Sequence, residues 1–140
     1  MSTRRSALLR HVARLLLGVA LVGAGLSHLG PSRTEFQAQV PGWVGLDANL
    51  VVVLSGIVEI GLGLALLIAR RHRPHVGLLV GLFFIAILPG NISQWVDGDS
   101  AFGLDSDGAR FARLFFQPVL VAWAWWSTGA LRLRRRDTAD

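Results

Sequence analysis

The chain has 140 residues, of which 52% are hydrophobic and only 16% charged, and its formal net charge is +5. That balance is too apolar for an ordinary soluble domain of this length. Cysteine is absent, which excludes a disulfide, a thiolate nucleophile, an iron–sulfur cluster and CxxC redox chemistry carried by the chain itself. The basic residues are all arginines, and most lie just outside apolar runs instead of forming a stripe on a polar face. Nucleic acid is therefore not an expected partner, despite the high pI.

Four apolar segments follow one another. The first, from about Leu15 to Leu29, is short for the roughly 20 residues needed to span a hydrocarbon core. It reaches that length if helix begins near residue 12 and Arg14 snorkels, giving a predicted helix over 12–29. Its Arg-rich start and small residues near Gly23 to Ser27 also allow a cleaved signal peptide. In the loop beyond it, Ser32 and Glu35 have capping-box spacing and Pro41 ends the stretch, which predicts a short interfacial helix.

The second segment predicts a helix over 49–69 and contains Glu59 at its centre. A carboxylate at that depth costs roughly 2.5 to 3.5 kcal/mol on insertion scales unless it is protonated, paired or hydrated. Ser55, Gly56, Glu59 and Gly63 share one face at helical spacing, and small residues let helices approach, so that face is expected to point inward. The third helix is predicted over 75–96, with Pro89 freeing the Ile85 carbonyl four residues back and Asn91 following it; its Gly77 and Gly81 suit internal packing better than a dimer face. An acidic stretch follows. Asp105-Ser106-Asp107-Gly108 resembles part of an EF-hand loop, but the position needing a bidentate Glu is Phe116, so no metal is expected. The fourth helix is predicted over 110–131, with Arg113 and Gln117 one turn apart and Pro118 next to them. Residues 132–140 form a basic tail.

Arginines lie before the first segment, between the second and third, and after the fourth, whereas most of the acids lie in the other two loops. By the positive-inside rule both termini are cytoplasmic. The expected fold is therefore all-α: an integral membrane four-helix bundle in a bacterial inner membrane, with membrane lipids around it. In that frame His28, Asn91, Arg113 and Gln117 fall in the outer half, with Glu59 about 15 Å below Asn49 by helix rise. Together with Ser55 they form the candidate ligand-binding set, a polar pocket open to the exterior with Glu59 at its floor. His28 and Glu59 alone make weak metal ligands, and no metal is assigned.

Five stretches resemble the DoxX family of small four-helix bacterial membrane proteins. They are GAGLSHLGP (Gly23 to Pro31), Val40-Pro41-Gly42-Trp43, SGIVEIGLGLALLI (Ser55 to Ile68), ILPGNI (Ile87 to Ile92) and ARLFFQPVLVAWAWW (Ala112 to Trp126). His28, Glu59, Asn91, Arg113 and Gln117 occupy its motif positions. The resemblance implies a link to quinone-coupled thiosulfate oxidation and membrane redox complexes, although relatives with thiol chemistry use cysteines that this chain lacks.

The leading expectation is a non-catalytic membrane subunit that binds a small lipophilic molecule, with quinone as the candidate and no covalent cofactor. A second is an assembly or stability partner for another membrane protein, the polar cluster then being structural. A third is an enzyme with Glu59 as general base, a quinone-linked oxidoreductase component without cysteine chemistry.

Overall fold

The computed structural model describes residues 3–30, 33–37, 40–97 and 106–133. The acidic loop over 98–105, the capping residue Ser32 and the basic tail from 134 onward lie outside the described residues. Every regular element among those described is helical: α1 (Thr3–Leu29), α2 (Arg33–Phe36), α3 (Ala48–Ile68), α4 (Arg73–Ala86), α5 (Leu88–Asp97), α6 (Asp107–Leu114) and α7 (Phe116–Thr128), with one 3-10 turn at Gly42–Val44. Among the described residues, three helices are long and apolar enough to cross a membrane: Thr3–Leu29, Ala48–Ile68 and the near-continuous Arg73–Val96.

Four boundaries differ from expectation for local reasons. α1 begins near Thr3 instead of residue 12, because Arg, Ala and Leu in its first two turns are strong helix formers whether or not they are apolar. The third and fourth segments are each broken, at Ile87 and at Phe115. Each break precedes a proline, which places Pro89 and Pro118 in the first turn of the following helix, where a missing N–H and a fixed φ cost nothing. α7 stops at Thr128 because Gly129 adopts φ 77 and returns its N–H to the Trp125 carbonyl, the left-handed cap that glycine favours. The expected interfacial helix of the first loop is present as the single turn α2.

α1 packs on α3, α4 on α7, α1 also on α7, and α5 on α6. The α1–α3 contact is built on glycine. A Cβ on Gly25 would lie 2.6 Å from the Gly56 carbonyl oxygen, and one on Gly63 would lie 2.8 Å from the Gly18 carbonyl oxygen. Small residues permit this approach, and dispersion rewards it where lipid offers no hydrophobic drive. Gly77 lies against Thr128 and Gly81 against the Trp125 indole, so this glycine pair serves internal packing. Leu17, Leu21, Leu66, Val80, Phe84 and Ala124 form the buried centre.

Buried polar groups tie the helices together. Trp123 Nε1 donates to the Ala13 carbonyl at 2.8 Å. Arg14, expected to snorkel, is instead 2% exposed. Its guanidinium donates to the Leu66 carbonyl and to His11 Nδ1 at 2.9 Å. Leu66 lies in the last turn of α3, whose carbonyls have no helical partner, so a cation is well placed there. The outward surface is apolar, with Val19, Ile57 and Val119 each more than half exposed. A monomer in water rarely presents so much contiguous apolar surface; a lipid-facing one does.

Candidate functional site

Between α1, α3, α4 and the α6–α7 junction lies a cavity of about 490 Å³. It is lined mainly by apolar side chains, with His28, Ser55, Glu59, Arg113 and Gln117 as its polar members. Five of the six expected residues therefore meet in one cavity. The sixth, Asn91, is buried in α5 but does not line it, although its neighbour Gly90 does.

Helix periodicity explains the convergence. Ser55 and Glu59 are one turn apart on α3, and Arg113 and Gln117 straddle the break at Phe115. His28 Nδ1 approaches Glu59 Oε2 to 2.8 Å, and both side chains are nearly buried. The approach is a close electrostatic contact without hydrogen-bond geometry, and neither atom has another hydrogen-bond partner among the described residues. Two lone pairs at that distance would repel, so the pair carries at least one proton. The ring of Phe36 covers His28 edge-on.

Arg113 donates to Gln117 Oε1 at 3.0 Å. Gln117 Nε2 in turn donates to the Phe84 carbonyl at 2.8 Å. Phe84 lies in the last turn of α4, so its carbonyl is one that the helix end leaves unpaired. The amide of Gln117, only 1% exposed, thus bridges a helix end and a guanidinium. Its oxygen is committed to Arg113, while Arg113 keeps further N–H donors for the cavity. No described contact joins Arg113 to Glu59, as their different depths suggested.

Sequence reasoning missed the roof. Phe36, Val40, Pro41, Trp43 and Val44 line one side of the cavity, placed there by α2 and the 3-10 turn. The apolar run Val40 to Val44 in an otherwise polar loop was the available signal. It also missed Gln94, buried on α5 one turn from Asn91. The Asn91 Oδ1 atom has no hydrogen-bond partner among the described residues. Asn91→Leu is therefore expected to change thermal stability in detergent by less than about 1 kcal/mol, since removing an unpaired polar group forfeits little.

Chemically, the cavity offers a closely approaching His–Glu pair on one wall and a cationic donor on the other. A metal centre is not supported: no group of three His, Cys, Asp or Glu side chains converges among the described residues.

A family model described as a domain of unknown function, DUF8561, matches residues 17–128. No curated protein and no solved structure matches the chain. The match corrects the resemblance to the DoxX family, and what that resemblance implied about thiosulfate oxidation and redox complexes loses its support. The stretches that carried it are short runs of Gly, Leu, Ile and Trp, which helix packing in lipid selects in unrelated families.

Proposed function

The chain belongs to the DUF8561 family, and from that premise we propose that it is a multi-pass membrane protein binding a small lipophilic molecule in the outer-half cavity. In this reading α1, α3, α4–α5 and α6–α7 form a four-helix bundle in the bacterial inner membrane, with both termini cytoplasmic. The arginine asymmetry supports that orientation.

The observation that carries the reading is the convergence of His28–Glu59 and Arg113–Gln117 on a largely apolar cavity of about 490 Å³. Ligand sites have that composition: mostly apolar walls and a few fixed polar groups. A molecule with a greasy body and one or two oxygens fits it, and a quinone or quinol is an example. Arg113 donates to a ligand oxygen, Gln117 positions Arg113, and the His28–Glu59 pair accepts from or donates to the other end. The protein acts as a binding subunit without a covalent cofactor.

The test is to purify the protein in mild detergent and identify co-purifying small molecules by mass spectrometry, with Glu59→Gln alongside. Parent protein should retain a stoichiometric lipophilic molecule, and Glu59→Gln should fold and retain at least about tenfold less, the ~1.5 kcal/mol of one charge-assisted hydrogen bond. Parent protein that folds but holds nothing would remove this reading. It would leave the polar residues as packing elements of a protein that stabilises a membrane partner.

A further inference from the structure

The opposite end of the molecule holds a second polar cluster that the cavity does not use. Arg14 is 2% exposed. Its acceptors, the Leu66 carbonyl and His11 Nδ1, satisfy hydrogen bonds but carry no negative charge. Because a guanidinium only donates, His11 must accept through Nδ1 and is neutral while that bond stands. Arg10 is one turn away on α1, its guanidinium carbon 5.8 Å from the Trp126 ring. Its Nε is buried without a hydrogen-bond partner. Arg73, at the start of α4, acts electrostatically on Arg14 and donates to the Ala69 carbonyl at 3.1 Å. α4 also begins here with no side-chain cap and no acid in its first turn.

Three arginines and a helix N-terminus thus converge with no anion among the residues whose side chains are described. Among residues whose side chains are described, the carboxylates are Asp47 and Glu59. Asp47 caps the far end of α3, and Glu59 is seven residues from Leu66, about 10 Å by helix rise. Burying a charge without a counter-charge is expensive, and like charges one turn apart add to the cost. Beside the cluster, the side chains of Val12 and Ile68 are 44% and 76% exposed, an apolar surface suited to acyl chains.

We propose that this end is a binding site for the phosphate headgroup of an anionic phospholipid. The phosphate takes charge-assisted hydrogen bonds from Arg10 and Arg73 and supplies the counter-charge for Arg14 buried behind them, and the tails run along Val12 and Ile68. A guanidinium matches phosphate geometry through paired donors, and basic pockets between membrane helices take lipid headgroups in this way. The site is independent of the cavity and of its ligand.

The test uses the full chain in nanodiscs of phosphatidylcholine, with or without phosphatidylglycerol, followed by native mass spectrometry and thermal unfolding. Phosphatidylglycerol should be retained selectively and raise the unfolding temperature by several degrees. Arg10→Gln combined with Arg73→Gln should lower that retention about 25-fold, fivefold for each basic side chain at ~1 kcal/mol. Arg70→Gln with Arg71→Gln, both exposed, should lower it less than about fivefold. Equal losses from the two pairs would overturn the site in favour of diffuse attraction. Equal stabilisation by inorganic phosphate in phosphatidylcholine would overturn the lipid as its source. Stability indifferent to phosphatidylglycerol, but lost on deleting residues 134–140 with Asp137 and Asp140, would overturn the proposal by showing that the chain supplies its own anion.

Discussion

Gly25→Val is expected to separate α1 from α3 and to abolish both stable folding in detergent and ligand retention. A Cβ at that position meets the Gly56 carbonyl oxygen and the Ile60 side chain, each at 2.6 Å. A side-chain tip can rotate away, but a helix backbone cannot, so the helices must move apart by the thickness of the added group. Overpacking costs about 1–3 kcal/mol where side chains can adjust, and here the cost should be at least about 3 kcal/mol. The same shift pulls His28 from Glu59, because His28 packs on Gly56 through its Cβ. Gly23→Val and Gly61→Val supply the comparison: a Cβ at either position meets nothing within 4 Å. Thermal unfolding should place both near the parent protein. Equal destabilisation by all three substitutions would mean that helix propensity, not close approach, governs the effect.

The second large effect is expected at Gln117. Interhelical hydrogen bonds in membranes average only about 0.6 kcal/mol, because the unfolded chain finds other partners in lipid. Gln117→Leu should exceed that, at about 2–4 kcal/mol. It leaves the Phe84 carbonyl unpaired at a helix end and strips Arg113 of its only described acceptor, and each such buried loss costs roughly 1–3 kcal/mol. Gln117→Glu separates the two contributions. It keeps an acceptor for Arg113 and loses only the donor to Phe84, so it should be less destabilising and keep Arg113 oriented. Ligand retention should follow: absent in Gln117→Leu, partly preserved in Gln117→Glu. Equal unfolding temperatures for the two variants would show that the Phe84 contact dominates.

Much of this arrangement was legible in the chain. Glu59 stood out because a carboxylate amid apolar residues has few explanations, and the glycines around it indicated a face that meets another helix. Spacing alone linked Ser55 to Glu59 and Arg113 to Gln117. Asn91 was misjudged by one position: α5 turns it inward but leaves Gly90 on the cavity wall, since rotation about a helix after a break cannot be read from composition. The breaks themselves are hidden because Ile87 and Phe115 are ordinary apolar residues, and a proline inside an apolar run does not by itself show that a new helix starts there. Arg14 was taken for a surface residue because hydropathy counts an arginine as outside, while its role depends on where α3 ends. The family could not be recognised from short apolar runs, because lipid imposes the same residues on many unrelated bundles.

The helix breaks at Ile87 and Phe115 carry a consequence for water. Where a helix is interrupted within a bilayer, the released carbonyls tolerate only protein or a hydrated space beside them, never acyl chains. Gln117 covers one of them, at Phe84, and the Gly90 N–H covers another, at Ile87. Protein groups thus meet the released backbone, and the polar wall left for a ligand of the proposed site is that of His28, Glu59 and Arg113. A pure hydrocarbon there would desolvate that wall without compensating it. A hydroxyl both donates and accepts, so a guest that carries one can meet the Arg113 donor and the His28–Glu59 pair alike. On the binding reading proposed above, a hydroxyl-bearing lipophile should therefore be retained more strongly than its fully oxidised counterpart.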